Sequence, residues 1–380
     1  AGAGVAAAAE PRARTVRQLL TCYKQLSKLK LSGLVAATAS AGYVLASGET
    51  VEPVGLAAVT AGTLLCASSA NALNQLREAA NDARMRRTFA RPLPSGRMGR
   101  AHAAGFAAAT GAAGVAVLLA GCNATTAALG AGNIALYAGA YTTLKQLSVV
   151  NTWVGAAVGA VPPLMGWAAA AGVLEPGALV LGLGLYFWQL PHFMALAHLC
   201  RADYAAGGFR MLSLVDPSGA RAAGAALRNT AYLVPLGFAA EPLGVTGPGF
   251  AWGNLALAAA LGALAVRFRA APSDKAARAL FRGSLVHLPA LMALALWHRT
   301  PRPEAGAEVQ FGDLAREARR WWEAAVRHEP SEADAAALAR GVANASEAPF
   351  PFLSLPRVPV RCPHPHAACE EAQQRKAPEA

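Results

Sequence analysis

The distribution of apolar residues along the chain is the first indication of its architecture. Nine stretches of about 20 mostly apolar residues follow one another, and each is long enough to cross a bilayer as a helix. All are rich in Ala, Gly and Leu, and such small residues let helices pack closely in lipid. The pattern predicts an all-α, polytopic membrane protein, a bundle of nine transmembrane helices. The predicted spans are 31–48, 54–76, 102–121, 124–143, 150–172, 177–199, 228–245, 249–268 and 279–298.

Polar residues divide the chain into three predicted parts. Residues 1–30 form a basic N-terminal segment, residues 31–298 the nine-span domain, and residues 299–380 a polar tail. The first 298 residues carry a net charge of +13 and the tail carries −1, which together make the +12 of the chain. Hydrophobic residues make up 54% and charged residues only 15%. Because soluble domains are about one quarter charged, this composition excludes a disordered chain and argues against a soluble globule.

The basic residues of the predicted domain lie in alternate connections. The segment before the first span and the second, fourth, sixth and eighth connections contain Lys or Arg, whereas the opposite connections contain only acids. Basic loops mark the cytoplasmic or matrix side of a membrane. We therefore expect the N-terminus on the basic side, the C-terminus across the membrane, and a central cavity that opens to the basic side. The charge excess is explained in this way without a nucleic-acid partner.

The two termini carry weaker signals. Residues 1–30 combine an Ala-rich start, typical of the remnant of a mitochondrial transit peptide, with a basic amphipathic stretch. The tail is expected to be partly helical and then disordered, and nothing in it indicates a function. Four tail residues have side chains that suit zinc, but their spacing is irregular and favours a Pro-rich, unstructured segment. They are Cys362, His364, His366 and Cys369.

A row of polar side chains follows the second span. Asn74, Glu78 and Asp82 are four residues apart, so on a helix they lie along one face. Two stacked carboxylates at a membrane edge need a cation between them. One explanation is a solvated ion network with the arginines that follow; the other is a Mg²⁺ site, completed by phosphate oxygens. The spacing alone favours the ion network.

Two further polar clusters are predicted on the same basic side, and they favour the Mg²⁺ site over the ion network. One follows the fourth span and contains Tyr141, Thr142 and Lys145, and the other follows the sixth span and contains Asp203 and Tyr204. Carboxylates and cations that converge from three loops suit an anionic, metal-chelated ligand better than lipid headgroups, because headgroups need cations but no acids. Together the clusters favour a site for diphosphate and Mg²⁺.

The same blocks carry a family resemblance that extends from about Arg17 to about Trp297. Over this range the chain resembles the protoheme IX farnesyltransferase family, a branch of the nine-span intramembrane prenyltransferases. It departs from the wider pattern at Glu78, which resembles the mitochondrial branch, and at Gly207, where related enzymes carry an acid. The matching positions are Asn74, Glu78, Asp82, Met85, Arg87, Thr88, Arg91, Pro92, Tyr141, Thr142, Lys145, Asn151, Thr152, Trp153, Gly155, Pro162, Pro163, Gly166, Trp167, Trp188, Gln189, Pro191, His192, Phe193, Asp203 and Tyr204.

The resemblance implies a reaction and a role for each matched residue. A farnesyl group would pass from farnesyl diphosphate to a vinyl group of heme B, with a water-derived hydroxyl, to give heme O. The implied Mg²⁺ ligands, which polarise the leaving diphosphate, are Asn74, Glu78, Asp82 and Asp203. The implied diphosphate-binding residues are Arg84, Arg87, Arg91, Lys145 and Asn151. Those implied to stabilise the allylic cation or contact heme are Tyr204, Trp153, Trp188 and His192.

Several of these residues also have a purely structural explanation. Trp153 and Trp188 suit an interfacial aromatic belt equally well. Tyr204 could serve only to orient Asp203. His192 is more simply explained as a hydrogen-bonded structural imidazole, and Asn151 suits the start of a helix.

The resemblance also implies partners and a location. The ligands would be farnesyl diphosphate and heme B, the surroundings a lipid bilayer, and the downstream partner heme A synthase. The chain would lie in the mitochondrial inner membrane with its active-site face on the matrix side, contributing to cytochrome c oxidase assembly. A prenyltransferase for an aromatic quinone precursor is the nearest alternative. A transporter is more distant, because the sequence contains no matching halves with broken spans. The oligomeric state is not indicated.

Overall fold

The computed structural model of the chain describes residues 15–302, and these fold into helices joined by short turns. Seven of the helices are long and apolar enough to cross a membrane. They coincide with seven of the nine predicted spans to within a few residues at most ends, which confirms the all-α membrane architecture. The helices are α1 Val16–Leu26, α2 Leu29–Ala46, α3 Pro53–Asp82, α4 Arg100–Gly121, α5 Ala124–Ala135, α6 Thr142–Leu147, α7 Asn151–Ala171, α8 Pro176–Leu199, α9 Arg201–Ala206, α10 Leu212–Val215, α11 Ala220–Ala231, α12 Leu233–Ala239, α13 Phe250–Ala270 and α14 Asp274–Trp297, with a π-helical turn at Leu136–Tyr141.

The fourth predicted span is helical along its length but changes its winding. Between α5 and α6 the backbone forms the π-helical turn, so the helical residues run on without a break to Leu147. The carbonyl of Ala138 in this turn accepts a hydrogen bond of 2.9 Å from Arg77 of α3. Single π turns inside α helices are frequent at functional sites. This one ends four residues before Lys145 of α6.

The seventh predicted span is interrupted, and here the structure differs from the expectation. Helix α11 begins eight residues before position 228, Tyr232 separates it from α12, and α12 ends at Ala239 rather than 245. Pro235 has no N–H, so the carbonyl four residues earlier, at Ala231, loses its helical donor. In residues 15–302, seven single α helices are long and apolar enough to cross a membrane, and the nine-span count remains a prediction.

Glycines allow the helices of the central bundle to approach closely. A Cβ atom at Gly166 of α7 would overlap the backbone carbonyl of Ala39 in α2, and one at Gly42 would overlap the carbonyl of Pro163. Helices α3 and α4 meet in the same way where Gly62 lies against Leu118. Such contacts supply packing between helices where lipid provides no hydrophobic driving force.

The loops predicted on the basic side are gathered at one end of the bundle. Lys28, before α2, contacts Asn74 near the end of α3, and the Lys145 carbonyl accepts a hydrogen bond of 2.6 Å from Arg210 N in the α9–α10 loop. His198 at the end of α8 lies 3.4 Å from Asp274 at the start of α14. The alternation of charge along the sequence therefore corresponds to a real grouping of loops in space.

Some expectations lie outside the described residues. These are the transit-peptide remnant, most of the polar tail with its partly helical portion, and the cysteine–histidine patch at 362–369. Helix α1, by contrast, is described and is strongly amphipathic. Its Cys22 and Leu26 are buried against Ala72 of α3 and Ala103 of α4, so the basic segment before the first span is part of the bundle.

Candidate active site

The last turns of α3 carry the predicted polar row. Helix α3 is 30 residues long and continues beyond its apolar part to Asp82, which keeps Asn74, Glu78 and Asp82 on one helical face. All three are buried, with exposed fractions of 1%, 2% and 1%. Buried carboxylates require partners of opposite charge or a metal, since an isolated buried charge is very costly. The burial of this row therefore indicates a functional site.

Each carboxylate of the row is paired with a cation from a different element. Lys145 Nζ lies 2.9 Å from Glu78 Oε1 and donates a hydrogen bond of 3.1 Å to Glu78 Oε2. Arg91, from the α3–α4 loop, donates a hydrogen bond of 2.6 Å to Asp82 Oδ2. That loop is held in place by Thr88, whose hydroxyl donates to the backbone carbonyl of Asp82 at 2.9 Å. Of the solvated ion network considered from the sequence, only the Arg91–Asp82 pair is present. Glu78 pairs with Lys145 and not with an arginine, and both carboxylates are buried.

Asn74 has its own cation, Lys28, which the sequence interpretation missed. Lys28 Nζ donates to Asn74 Oδ1 at 3.3 Å and to the Tyr137 hydroxyl at 3.4 Å. Its backbone is left-handed, with φ of 46°, an unusual conformation for a residue other than glycine. Burial, and then the charges of Arg91 and Lys145, lower the pKa of Lys28 to about 7. In the sequence Lys28 is one of several basic residues before the first span, and nothing there distinguishes it.

The π-helical turn supplies the remaining contacts of Asn74. Asn74 Nδ2 donates to the Thr142 hydroxyl at 3.1 Å, and that hydroxyl in turn donates to the Tyr137 carbonyl at 2.8 Å. Tyr137 also donates to Asn71 Oδ1 at 3.3 Å. The matched residue Thr142 therefore fixes the amide of Asn74, so that its Oδ1 points toward the cations.

The second acidic position lies in α9, beside the row. Asp203 is half-buried in the first turn of α9, and Tyr204 is buried, with the Arg87 guanidinium 5.8 Å from the centre of its ring. Burial raises the pKa of the Tyr204 hydroxyl, so the ring stays neutral. Asn81 at the end of α3 donates a hydrogen bond of 2.7 Å to the Gly207 carbonyl. This bond ties the loop that follows α9 to the acidic row.

The missing acid of the second motif has a steric explanation. A Cβ atom at Gly207 would lie 2.9 Å from Met85 Sδ and 3.1 Å from Phe209 Cδ2, closer than such atoms normally approach. Met85 and Phe209 are both buried in the cluster that also contains Tyr204. The packing of this cluster therefore accounts for glycine at this position.

Three of the predicted site residues are not drawn into the row. Arg84 is exposed in the turn after α3. Asn151 is buried, and its Nδ2 donates to the carbonyls of Ser148 and Arg210, at 2.6 and 2.7 Å, so it joins two loops and has no hydrogen left for phosphate. Trp153 is partly buried against the apolar core formed mainly by α8, α11, α13 and α14. We therefore assign Asn151 to loop positioning.

The matched residues Trp188 and His192 of α8 form separate polar contacts with α14. Trp188 Nε1 donates to the Ser284 carbonyl at 2.9 Å, and His192 Nδ1 lies 2.9 Å from the Ser284 hydroxyl. The His192 ring is stacked on Trp188, with ring centres 5.1 Å apart, and lies 4.7 Å from Phe281. These contacts support the structural explanation for His192, which is half-buried. Trp188 is buried in the core between helices, so it is not part of an interfacial aromatic belt.

The acids of the site do not form a ready-made metal cage. In residues 15–302 no group of three His, Cys, Asp or Glu side chains converges closely enough to hold a metal ion. The row nevertheless offers hard oxygen donors. Asp82 Oδ1 is buried without a hydrogen-bond partner, and Glu78 Oε1 is near Lys145 but not oriented for a hydrogen bond. Oxygen atoms of this kind, supplemented by phosphate oxygens, suit Mg²⁺.

An intramembrane helical bundle with buried acids and cations at one end has the features of a membrane prenyltransferase that handles diphosphates. The chain belongs to the UbiA prenyltransferase family, whose model matches residues 35–286. It is an enzyme of the transferase class.

Curated relatives narrow the assignment within the family. The chain is 46% identical over 343 residues to the mitochondrial protoheme IX farnesyltransferase of Arabidopsis thaliana, covering 88% of this chain and 77% of that protein. It is 43% identical over 285 residues to the enzyme of the same name from Homo sapiens, covering 75% of this chain and 63% of that protein. The matched segment is thus somewhat under two thirds of the human protein.

Solved structures confirm the fold. The bundle is similar to a digeranylgeranylglyceryl phosphate synthase with a TM-score of 0.63, at 14% identity, covering 74% of this chain and 98% of that one. It is also similar to a UbiA homologue from Archaeoglobus fulgidus, bound to DMAPP and Mg²⁺, with a TM-score of 0.54, at 13% identity, covering 72% and 98%. At these identities the likeness concerns the fold alone.

Proposed function

We propose that this chain transfers a farnesyl group from farnesyl diphosphate to a vinyl group of heme B, giving heme O. The carrying observation is the buried row of Asn74, Glu78 and Asp82, with a cation at each member. The names of the relatives, at 46% and 43% identity, support heme B as the acceptor. The substrate class follows from the site, because an acidic row crowded with cations suits a diphosphate that arrives with a divalent metal.

Mg²⁺ is the metal we propose for this site. Asn74, Glu78, Asp82 and Asp203 would hold it together with phosphate oxygens, and it would supply Lewis-acid stabilisation of the departing diphosphate. The buried, unpartnered Asp82 Oδ1 is the atom of the row that most requires such a cation.

The cations around the row would bind the leaving group. Arg87, Arg91 and Lys145 present positive charge from three sides, in positions set by Tyr204, Asp82 and Glu78 respectively. Charge held in place before the reaction stabilises the negative charge that develops as the allylic C–O bond breaks. Arg84 is exposed, and we propose for it only a contribution to attraction of the substrate.

The farnesyl chain would extend from this site into the bundle. A cavity lined by Tyr137 lies between α3, α5 and α7, and its lining includes Ala70, one helical turn from Asn74. Its lining is mostly apolar. The ring of Tyr204 would stabilise an allylic cation near the diphosphate. We place the acceptor near Trp153 of α7 and near Trp188 and His192 of α8.

The proposed membrane and orientation of the chain follow from its relatives and its basic loops. We propose that residues 31–298 form the catalytic domain, with nine spans in the mitochondrial inner membrane and the acidic row at the matrix side. The mitochondrial names of the relatives and the basic loops at this end support that orientation. Heme O released here would be the substrate of heme A synthase.

The test is an assay of the purified full chain in lipid nanodiscs. It is supplied with farnesyl diphosphate, Mg²⁺ and either heme B or 4-hydroxybenzoate, and the products are identified by mass spectrometry. We expect heme O from heme B, no prenylated benzoate, and loss of product when EDTA removes the metal. Prenylated 4-hydroxybenzoate with no heme O would replace the proposal with the quinone-precursor activity.

A further inference from the structure

Every residue of the α3 row has a different cation at its side-chain oxygen. The three cations reach the row from separate parts of the chain: the α1–α2 connection, the α3–α4 loop and α6. All three acceptors are buried. The pairs are Lys28 with Asn74 at 3.3 Å, Lys145 with Glu78 at 2.9 Å, and Arg91 with Asp82 at 2.6 Å.

The cations of this cluster already offset all of its negative charge. Arg91 and Lys145 each face one carboxylate, and Lys28 is a third cation that faces a neutral amide. A divalent metal arriving alone would add two positive charges to a site with no negative charge to spare, and like charges repel strongly where water is scarce. A diphosphate ester carries about three negative charges near neutral pH, so metal and diphosphate together add only about one negative charge, which the cations of the cluster can accept.

We propose that Lys28, Arg91 and Lys145 are stand-in cations, which hold the metal ligands until diphosphate arrives and then move to its phosphate oxygens. Divalent metal therefore binds tightly only together with diphosphate. The inference rests on the proposed function for the nature of the ligand, and it adds Lys28 as a residue that positions Asn74. It also assigns the order of events. Asp82 Oδ1 is open to metal from the start, whereas the oxygens that Lys28, Lys145 and Arg91 engage become available only when these cations leave.

The surroundings allow Lys145 to change partners at little cost. Its ammonium lies 4.6 Å from the centre of the Tyr141 ring and 5.6 Å from that of Phe209. Aromatic faces attract cations, so they can hold the ammonium after it leaves Glu78. The long, flexible side chains of lysine and arginine suit such a movement.

Equilibrium dialysis measures this coupling directly. The full chain in nanodiscs is dialysed against radioactive Mn²⁺, as a probe for Mg²⁺, with and without inorganic diphosphate, itself radiolabelled. Complexes of Mn²⁺ and diphosphate that form in solution reach the same concentration on both sides of the dialysis membrane, so they do not contribute to the measured difference. We expect diphosphate to increase the affinity for Mn²⁺ at least about tenfold, and Mn²⁺ to increase the affinity for diphosphate by the same factor.

Neutral variants distinguish a stand-in cation from a merely structural one. Lys145→Gln and Lys28→Gln are each expected to increase binding of Mn²⁺ alone and to weaken binding of diphosphate. Structural damage would weaken both. Lys30→Gln is the matched control, since Lys30 is exposed two residues from Lys28, and it should change neither affinity.

Two results would overturn the inference. One is tight binding of Mn²⁺ to the wild type without diphosphate; the other is loss of both ligands in the two Gln variants. Either could occur in an enzyme that makes heme O, so the proposed function would survive. A wild type that binds no diphosphate at any Mn²⁺ concentration would overturn both.

Discussion

Glu78 and Asp82 show how single residues carry both stability and chemistry in this protein. Each carboxylate is almost fully buried near the end of α3 and has one oxygen engaged by a cation. Removing one partner of a buried pair leaves an uncompensated charge, which costs several kcal/mol. The same geometry leaves Asp82 Oδ1 free to bind a metal. The ion pairs and the proposed metal binding therefore depend on the same carboxylate groups.

Substitutions in these pairs should remove activity while leaving the protein in the membrane. We expect Asp82→Ala and Lys145→Ala each to lower conversion of heme B to heme O by about 100-fold or more, because each removes charge stabilisation of the leaving group. Lys275→Ala is a suitable control, since Lys275 is exposed at the start of α14. Conversion is followed by chromatography, alongside the amount of membrane-inserted protein. Full activity in both variants would refute the proposed site.

Close contacts between pairs of helices hold the site in position. Helix α7 carries two internal prolines, yet it packs against α2 through Gly42 and Gly166, where no side chain would fit. Helix α3 is held against α4 in a similar way, and α3 positions the acidic row. The precision of the site therefore depends on close backbone contacts well below it in the membrane.

A methyl group at the α2–α7 contact should destabilise the bundle. Gly166→Ala places its Cβ against the Ala39 carbonyl, and such overpacking costs about 1–3 kcal/mol. Gly105→Ala in α4 is the matched control, because nothing lies within 4 Å of its Cβ position, and it should be neutral or slightly stabilising. Thermal unfolding in detergent, followed by tryptophan fluorescence, measures both. Equal melting temperatures would show that the contact is looser than described.

In the described part of the chain, the residues that follow α14 join several loops at the end of the bundle opposite the site. Arg299 donates to the carbonyls of Ser47 and Gly48, and Arg302 forms an ion pair with Glu175. The loop before α13 joins them, since Gly247 N donates to the His298 carbonyl at 2.7 Å. Three loops that are distant in the sequence are thus tied together by one short segment.

Weakening this segment should lower stability without touching the site. Arg302→Gln removes the ion pair with Glu175 and the contact of the guanidinium with the Trp167 ring, together worth on the order of 1 kcal/mol. We expect a melting temperature a few degrees lower and an unchanged affinity for diphosphate. Arg278→Gln, at an exposed position of α14, controls for the loss of charge. Adding Glu175→Gln to Arg302→Gln should lower the melting temperature little further, because the pair is already broken. Additive losses would mean that the two residues act separately.

The sequence by itself determined the membrane architecture, the grouping of basic loops and the helical row of Asn74, Glu78 and Asp82. These features depend on local composition and on helical periodicity, which are properties of neighbouring residues along the chain. Only the tertiary structure decided that Lys28 belongs to the site, that Asn151 joins loops, and that Gly207 packs closely against Met85. Those facts depend on contacts between segments 40 to 130 residues apart, for example the 126 residues between Asn81 and Gly207. No local pattern records which side chain meets which across the bundle, because that is settled by the packing of the helices as a whole.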